Sequence, residues 1–216
     1  MPALAIVGAG PNLGMATARR FGAEGYDVGL VSRNAGRLRD LADTLTDEGL
    51  TAAIEPADLR SPGAATTALA HLADTLGPVD VMVYSPLASL DWIKPVAETT
   101  SADMGAALEL SVLGAVDAVE AVLPSMRERG SGTLLFTTGG AAVAPSAERA
   151  SSAVSNAAEV AYARLLHEAL AGHGIHVAHT AIVGALGPGL THDPDDVAEL
   201  LWRQHRERAG FQHVVS

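Results

Sequence analysis

The stretch Ala3-Leu4-Ala5-Ile6-Val7-Gly8-Ala9-Gly10-Pro11-Asn12-Leu13-Gly14-Met15-Ala16 decides the fold of this chain. Residues 3–7 have the apolar composition of a buried strand, and three glycines lead from them into a segment with helical character. Gly8 permits a tight turn, Gly10 lets the backbone approach an anion, and Gly14 lets the helix pack closely on the strand. The helix N-terminus offers free N–H groups and the positive end of its dipole. The stretch therefore predicts a strand, a glycine turn and a helix that together bind a pyrophosphate.

The composition fits one globular domain, residues 1–216, with a sizeable core. The chain has 216 residues, of which 48% are hydrophobic and 18% charged, and it carries a formal net charge of −11. This charge argues against nucleic acid as a partner, because its phosphates would be repelled. An anionic cofactor must therefore be held by local backbone dipoles and a few arginines.

Several chemistries are excluded by residues that the sequence lacks. It contains no cysteine, which excludes a disulfide framework, a thiol nucleophile and a cysteine zinc site. The histidines show no metal-ligand spacing, so we expect no metal, and no Gly-x-Ser-x-Gly hydrolase motif occurs. Residues 3–8 are too short for a signal segment and no apolar run approaches a membrane span. We therefore expect a cytoplasmic protein with no membrane partner.

Strand patterns alternate with helix patterns along the whole chain. The predicted strands are 3–8, 26–32, 51–55, 79–84, 133–138, 175–183 and 211–215. The predicted helices are 14–25, 34–49, 62–76, 101–129, 151–172 and 193–208. This alternation predicts an α/β fold: a Rossmann-like doubly wound parallel sheet of about seven strands with helices on both faces. Ligands of such sheets bind outside the carboxyl ends of the strands.

The end of the second predicted strand reads Val31-Ser32-Arg33-Asn34 and carries no carboxylate. Ser32 and Arg33 suit a ribose 2′-phosphate, which favours NADP(H), with NAD(H) as the alternative. Arg33 could also be a solvated surface residue, and Asp58 is either a partner for the adenine amino group or a loop acid. The candidate cofactor-binding residues are Gly8, Gly10, Asn12, Leu13, Gly14, Ser32, Arg33, Asp58 and Ser85.

The order of these motifs resembles the short-chain dehydrogenases/reductases over nearly the whole chain. The motifs that carry the resemblance, besides the glycine turn, are Arg33-Asn34, Asp58, Asp80–Tyr84, Val122–Met126, Gly132–Phe136, Gly174–His179 and Asp193–Glu199. The resemblance implies a nicotinamide cofactor and a small organic substrate or ligand. It also implies that helices 101–129 and 151–172 pair across a two-fold interface, giving a homodimer or homotetramer.

The resemblance further implies where catalytic groups should stand, and this chain departs from that pattern. The family uses a Tyr as acid/base, a Lys four residues later, a Ser and an Asn. These positions hold Ser151, Ser155, Thr138 and Ser111, respectively. A serine hydroxyl is a far weaker acid than a phenol beside a cation, so standard hydride chemistry is in doubt.

Other side chains could take over part of the chemistry. Tyr84 is the best remaining titratable group near the nicotinamide position, although it could simply be a packing residue. Further candidates, each of which could also be structural, are Asp91, Trp92, Glu148, Arg149 and His179. The loop Ala185–His192 is short, which predicts an open site.

Three functional hypotheses remain open from the sequence. The first is an NADP(H)-binding protein that does non-standard or non-redox chemistry on an organic ligand. The second is a working NADP-dependent carbonyl or alcohol oxidoreductase with a substitute proton donor. The third is a non-catalytic binding or partner protein on the same scaffold.

Overall fold

A sheet of seven parallel strands forms the centre of the molecule in the computed structural model, which describes residues 1–216. The strand bounds are β1 Ala3–Val7, β2 Asp27–Ser32, β3 Ala52–Pro56, β4 Val79–Tyr84, β5 Gly132–Gly139, β6 Ile175–Ile182 and β7 Gln212–Val215. Their spatial order is β3-β2-β1-β4-β5-β6-β7. This is the predicted doubly wound arrangement. All strands are parallel, but strands β1 to β3 are added toward one edge of the sheet and strands β4 to β7 toward the other. Ligands of such sheets bind at the point between β1 and β4 where this order changes.

Helices cover both faces of the sheet, as expected. Their bounds are α1 Leu13–Gly22, α2 Ala35–Asp47, α3 Ala64–Leu76, α4 Ser101–Leu108, α5 Gly114–Arg129, α6 Ala150–Leu170 and α7 Pro194–Glu207. Helices α1, α2 and α7 pack on one face through one buried apolar cluster. Helices α3, α5 and α6 pack on the other face through a second cluster. No helix combines the length and the apolar character that crossing a bilayer requires.

The glycine turn follows directly from the central strand β1. Every residue of β1 is buried, and Val7 pairs with Val31 of β2 on one side and with Tyr84 of β4 on the other. Gly8 then takes a φ of +94°, which a residue with a side chain rarely adopts. A Cβ at Gly8 would lie 2.5 Å from the backbone of Pro86. The turn therefore brings the first loop against the loop that follows β4.

The predicted helix over 101–129 is interrupted in its middle. Thr100 and Asp103 form a capping box that starts α4. Residues Glu109–Leu113 form a π turn, and the chain continues as α5. The π turn leaves the Leu110 carbonyl as the acceptor for the Tyr84 hydroxyl, which helix periodicity alone does not predict.

Smaller boundary differences have local causes. Helix α3 begins at Ala64 and not near Pro62, because Gly63 adopts a left-handed conformation at its N-cap. Helix α6 ends at Leu170, and a short 3₁₀ turn completes the connection to β6. The expected cap of α7 is confirmed: the Asp193 side chain accepts a hydrogen bond from the N–H of Asp195 at 2.9 Å, with Pro194 in the first turn.

Candidate functional site

The glycine turn leaves space beside the N-terminus of α1. A Cβ at Gly10 would meet no heavy atom within 4 Å, so the backbone at this point is open to a ligand. No side chain caps α1, since the Asn12 side chain makes no hydrogen bond to the helix. Leu13 and Gly14, the first residues of α1, are buried, and a Cβ at Gly14 would lie 3.3 Å from Ala9. The open backbone and uncapped helix end fit a pyrophosphate.

The end of β2 presents an arginine without a partner. Arg33 is exposed and forms no salt bridge, while Ser32 beside it is partly buried. Asp58 is instead paired with Arg60, whose Nη2 lies 3.0 Å from Oδ2. This hydrogen bond lowers the pKa of Asp58, with a smaller contribution from the charge of Arg33. The residues fit a 2′-phosphate at Arg33, whereas an adenine amino group at Asp58 would have to share the carboxylate with Arg60.

Ser85 is held at the carboxyl end of β4. Its N–H donates to the carbonyl of Val7 at 2.8 Å, and its hydroxyl accepts from the Thr137 hydroxyl at 2.7 Å. Ser85 therefore lies beside the glycine turn, between the ends of β1, β4 and β5.

Two of the four positions named from the family pattern lie in contact. The hydroxyl of Ser111, in the π turn, donates to the hydroxyl of Ser155 on α6 across 3.4 Å. Both serines are buried, with exposures of 6% and 2%. The pair is polar but uncharged, since no basic side chain joins it.

The other two positions have separate partners. Ser151 is 1% exposed and donates its hydroxyl hydrogen to the Trp92 carbonyl at 2.6 Å. The Thr138 hydroxyl lies 2.8 Å from Nε2 of His179, which is fully buried. Burial lowers the pKa of His179 to about 4, with a smaller effect from Arg164. No hydrogen bond joins Thr138 to Ser151.

Tyr84 lies inside the core and does not present its hydroxyl to the surface. It is fully buried, and the hydroxyl donates to the Leu110 carbonyl. Burial raises its pKa well above the ordinary value, and the Glu159 and Asp117 carboxyl groups raise it further. Of the two roles that the sequence left open for Tyr84, its buried position corresponds to a packing residue and not to an accessible proton donor.

The remaining candidates lie in the segments that follow β4 and β5. Asp91 accepts a hydrogen bond from the Ser89 hydroxyl at 2.9 Å, and Glu148 and Arg149 are exposed. Trp92 is partly buried beneath the Arg60 guanidinium, whose carbon lies 5.2 Å from the ring centroid. The Arg60 side chain therefore links Asp58 to Trp92, whose carbonyl accepts the hydrogen bond from Ser151.

One buried acid without a hydrogen-bond partner is not predicted from the sequence. Glu159 on α6 is 2% exposed, and its Oε1 is buried without a hydrogen-bond partner. The signal that could have found it is its spacing, because Ser151, Ser155 and Glu159 stand four residues apart and share one helix face. No group of three or more potential ligands could hold a metal ion.

The comparisons with known proteins agree with this architecture. The model of the short chain dehydrogenase family matches residues 3–192, and the chain belongs to that family. A 2,3-dihydro-2,3-dihydroxybenzoate dehydrogenase of Bacillus subtilis is 26% identical over 212 residues, covering 97% of this chain and 76% of the relative. The (2S)-[(R)-hydroxy(phenyl)methyl]succinyl-CoA dehydrogenase subunit BbsC of Thauera aromatica is 32% identical over 130 residues, covering 60% of this chain. The chain spans about half, 51%, of that relative's length.

Solved structures share the fold at low identity. L-sorbose reductase from Gluconobacter frateurii, in complex with NADPH and L-sorbose, superposes with a TM-score of 0.91 at 19% identity, covering 100% of this chain and 95% of that chain. A variant of actinorhodin polyketide ketoreductase with NADPH gives a TM-score of 0.90 at 22% identity, covering 99% and 95%. At this identity the likeness establishes the fold alone.

Proposed function

We propose that this chain binds NADP(H) and acts on a small apolar organic ligand without using the residue at the family's Tyr position as its acid. The observation that carries the proposal is the placement of Ser151. Its hydroxyl is buried and its hydrogen is already donated to the Trp92 carbonyl. Ser155, at the Lys position, brings no positive charge that could tune an acid.

The cofactor part of the proposal is supported by the glycine turn and Arg33. Gly10 and the uncapped N-terminus of α1 would hold the pyrophosphate, and the unpaired guanidinium of Arg33 would hold the 2′-phosphate. The NADPH complexes of the two structural neighbours are consistent with this choice. When bound, a nicotinamide supplies or accepts a hydride.

The ligand class is supported by the loops at the carboxyl ends of the strands. Large apolar side chains are exposed on the loops that follow β4, β5 and β6. They are Leu87, Leu90, Val96, Val143 and Leu190. Exposed apolar side chains gathered at one end of a sheet favour an apolar ligand over a highly charged one.

The test of the cofactor is the thermal stability of the protein with each dinucleotide. NADPH at about 100 times its Kd should add roughly 2.7 kcal/mol of stability. Arg33→Ala removes a charged contact of about 1.5–3 kcal/mol and should weaken NADPH about tenfold or more while leaving NADH unchanged. Arg39→Ala, on exposed α2, is the matched control. A preference for NADH would contradict the role of Arg33, and no shift with either dinucleotide would contradict cofactor binding.

A non-catalytic binding role is the second candidate, and one observation favours it. All four family positions are buried, with exposures of 7% at Thr138, 6% at Ser111, 2% at Ser155 and 1% at Ser151. A panel of carbonyl compounds with NADPH separates the two roles. Turnover by Ser151→Ala equal to that of the wild type supports the first proposal, and absence of any turnover favours the second.

We also propose that copies of this chain associate through α5 and α6. Apolar side chains are exposed on α6 at Val154 and Leu165 and in the adjoining π turn at Leu113. Sedimentation equilibrium is the direct measurement. A homodimer or homotetramer is the expected result, and a monomer at all concentrations would contradict it.

A further inference from the structure

Arg33 and Asp58 lie at the carboxyl ends of neighbouring strands. Ser32 of β2 pairs with Pro56 of β3, and the carbonyl of Ser32 accepts a hydrogen bond from the N–H of Ala57 at 3.0 Å. Arg33 and Asp58 are the next residues along these two segments. Neighbouring strands are only about 4.8 Å apart, so an arginine and an aspartate at these two positions can reach each other.

The two residues nevertheless form no salt bridge, and Asp58 is paired with Arg60 instead. Arg60 Nη2 lies 3.0 Å from Asp58 Oδ2, and Arg60 Nε lies 3.3 Å from Oδ1. The backbone N–H of Arg60 also donates to Oδ1 at 3.1 Å. The side-chain hydrogen bond from Arg60 is the largest cause of the lowered pKa of Asp58, and the charge of Arg33 is a smaller one. Asp58 therefore feels the charge of Arg33 but gives its hydrogen bonds to Arg60.

Arg60 is held in this position from a second side. Its guanidinium carbon lies 5.2 Å from the centroid of the Trp92 ring, a distance at which a cation and an aromatic ring attract each other. The side chains of Arg60 and Asp58 are 32% and 35% exposed, so both charges remain partly solvated. The contacts that hold Arg60 on Asp58 do not involve Arg33, whose guanidinium is exposed.

A free carboxylate beside Arg33 would oppose the binding of a phosphate in two ways. It would pair with the guanidinium that the phosphate needs, and its negative charge would repel the phosphate. Pairing with Arg60 offsets the charge of Asp58 and leaves the Arg33 guanidinium available. A ribose 2′-hydroxyl carries no charge, so this effect should act on NADP(H) and hardly at all on NAD(H).

We propose that Arg60 is a positioning residue for the choice of cofactor, because its pairing with Asp58 keeps Arg33 free for the 2′-phosphate. Arg60 acts through Asp58 and Arg33 and does not itself bind the phosphate. Without Arg60, Asp58 pairs with Arg33, and NADPH has to break that pair in order to bind. The inference rests on the proposed function, which places the 2′-phosphate at Arg33.

Isothermal titration calorimetry with NADPH and with NADH tests the inference, and the ratio of the NADH Kd to the NADPH Kd is the readout. Changes at the adenine or the pyrophosphate cancel in this ratio, because both cofactors share these groups. Arg60→Gln should lower the ratio about two- to fivefold, the scale of one partly exposed ion pair. Arg60→Lys keeps the charge and should restore most of the ratio. Arg39→Gln, at an exposed position of α2, is the control and should leave it unchanged.

Asp58→Asn separates this role from direct binding of the phosphate by Arg60. Without the carboxylate nothing competes for Arg33, so adding Arg60→Gln to Asp58→Asn should leave the ratio as it is in Asp58→Asn alone. If Arg60 bound the 2′-phosphate itself, Arg60→Gln would lower the ratio equally with and without the Asp58 carboxylate. All the substituted side chains are partly or fully exposed, and the melting temperature of each variant confirms that it folds.

Two results would overturn the inference while leaving the proposed cofactor intact. One is an Arg60→Gln variant with an unchanged ratio, including the case in which NADPH and NADH weaken equally because Arg60 only supports its loop. The other is an equal loss in the presence and absence of the Asp58 carboxylate. A wild type that binds neither dinucleotide, or binds both equally, contradicts the proposed role of Arg33 together with this inference.

Discussion

The hydroxyl of Ser151 donates its hydrogen to the backbone carbonyl of Trp92 across 2.6 Å, in a place where only 1% of the serine is exposed. The contact ties the start of α6 to the loop after β4. It also means that the hydroxyl of Ser151 is engaged in a structural contact in this chain.

Ser151→Ala should therefore lower stability and leave cofactor binding intact. Removing the hydroxyl leaves the Trp92 carbonyl without its donor, which costs about 1–3 kcal/mol of unfolding free energy. Urea denaturation measures this cost, and NADPH titration of the same variant measures the cofactor affinity. The Ser152 side chain forms no hydrogen bond and is less buried, so Ser152→Ala should stay within about 0.5 kcal/mol of the wild type. Unchanged stability together with lost NADPH binding would contradict the structural role.

Gly114 provides a test of the buried position of Tyr84. A Cβ at Gly114 would lie 2.6 Å from the Tyr84 hydroxyl and 2.6 Å from the Leu59 carbonyl. Gly114→Ala should thus destabilise the protein by about 1–3 kcal/mol through overpacking. Gly105→Ala is the matched control on α4, because its Cβ would meet nothing within 4 Å. Gly105→Ala should stabilise the protein by about 0.5–1 kcal/mol. Equal effects of the two substitutions on the unfolding free energy would contradict the close packing of Tyr84 against Gly114.

His179 should make stability depend on pH on the acid side. Burial lowers the pKa of His179 from 6.5 to about 4 in the folded protein. As the pH falls, the unfolded chain therefore binds a proton at this histidine at a higher pH than the folded protein does. Stability is then fully present above about pH 6.5 and falls as the pH drops toward about 4, by at most about 1.4 kcal/mol per pH unit for each such histidine. His176 and His205 have the same lowered pKa of about 4 and add to the slope.

Urea unfolding across this pH range measures the contribution of His179. His179→Gln removes one titrating group and should flatten the pH dependence of the unfolding free energy by one histidine's share. His173→Gln, on the exposed turn after α6, is the control and should leave the slope unchanged. An unchanged slope in His179→Gln would show that the folded protein protonates His179 as readily as the unfolded chain does.

The sheet and its ligand-binding edge were predictable because they depend on local pattern. Buried strands such as Val79–Tyr84 are nearly continuous apolar runs, and alternation with helices indicates a parallel order. The glycine turn after β1 and the cap of α7 at Asp193 follow from residue types whose conformations are specific.

Side-chain partners between distant elements were not predictable. The sequence gives no reason for Asp58 to pair with Arg60, because the pairing depends on how the loop after β3 folds back. The inward orientation of Tyr84 depends on its partner Leu110, 26 residues away. The burial of Glu159 likewise depends on which face of α6 the sheet covers, and charged residues on helices usually face solvent.

The π turn at Glu109–Leu113 has a consequence for how insertions and deletions would act on this fold. Each residue advances an α-helix by about 100°, so the wider turn sets the rotational phase of α5 relative to α4. Deleting one residue there would turn either Asp103 and Ala107 or Ala115 and Val119 away from their buried positions. The length of this segment is therefore fixed by the buried face of α4 and the buried face of α5 together.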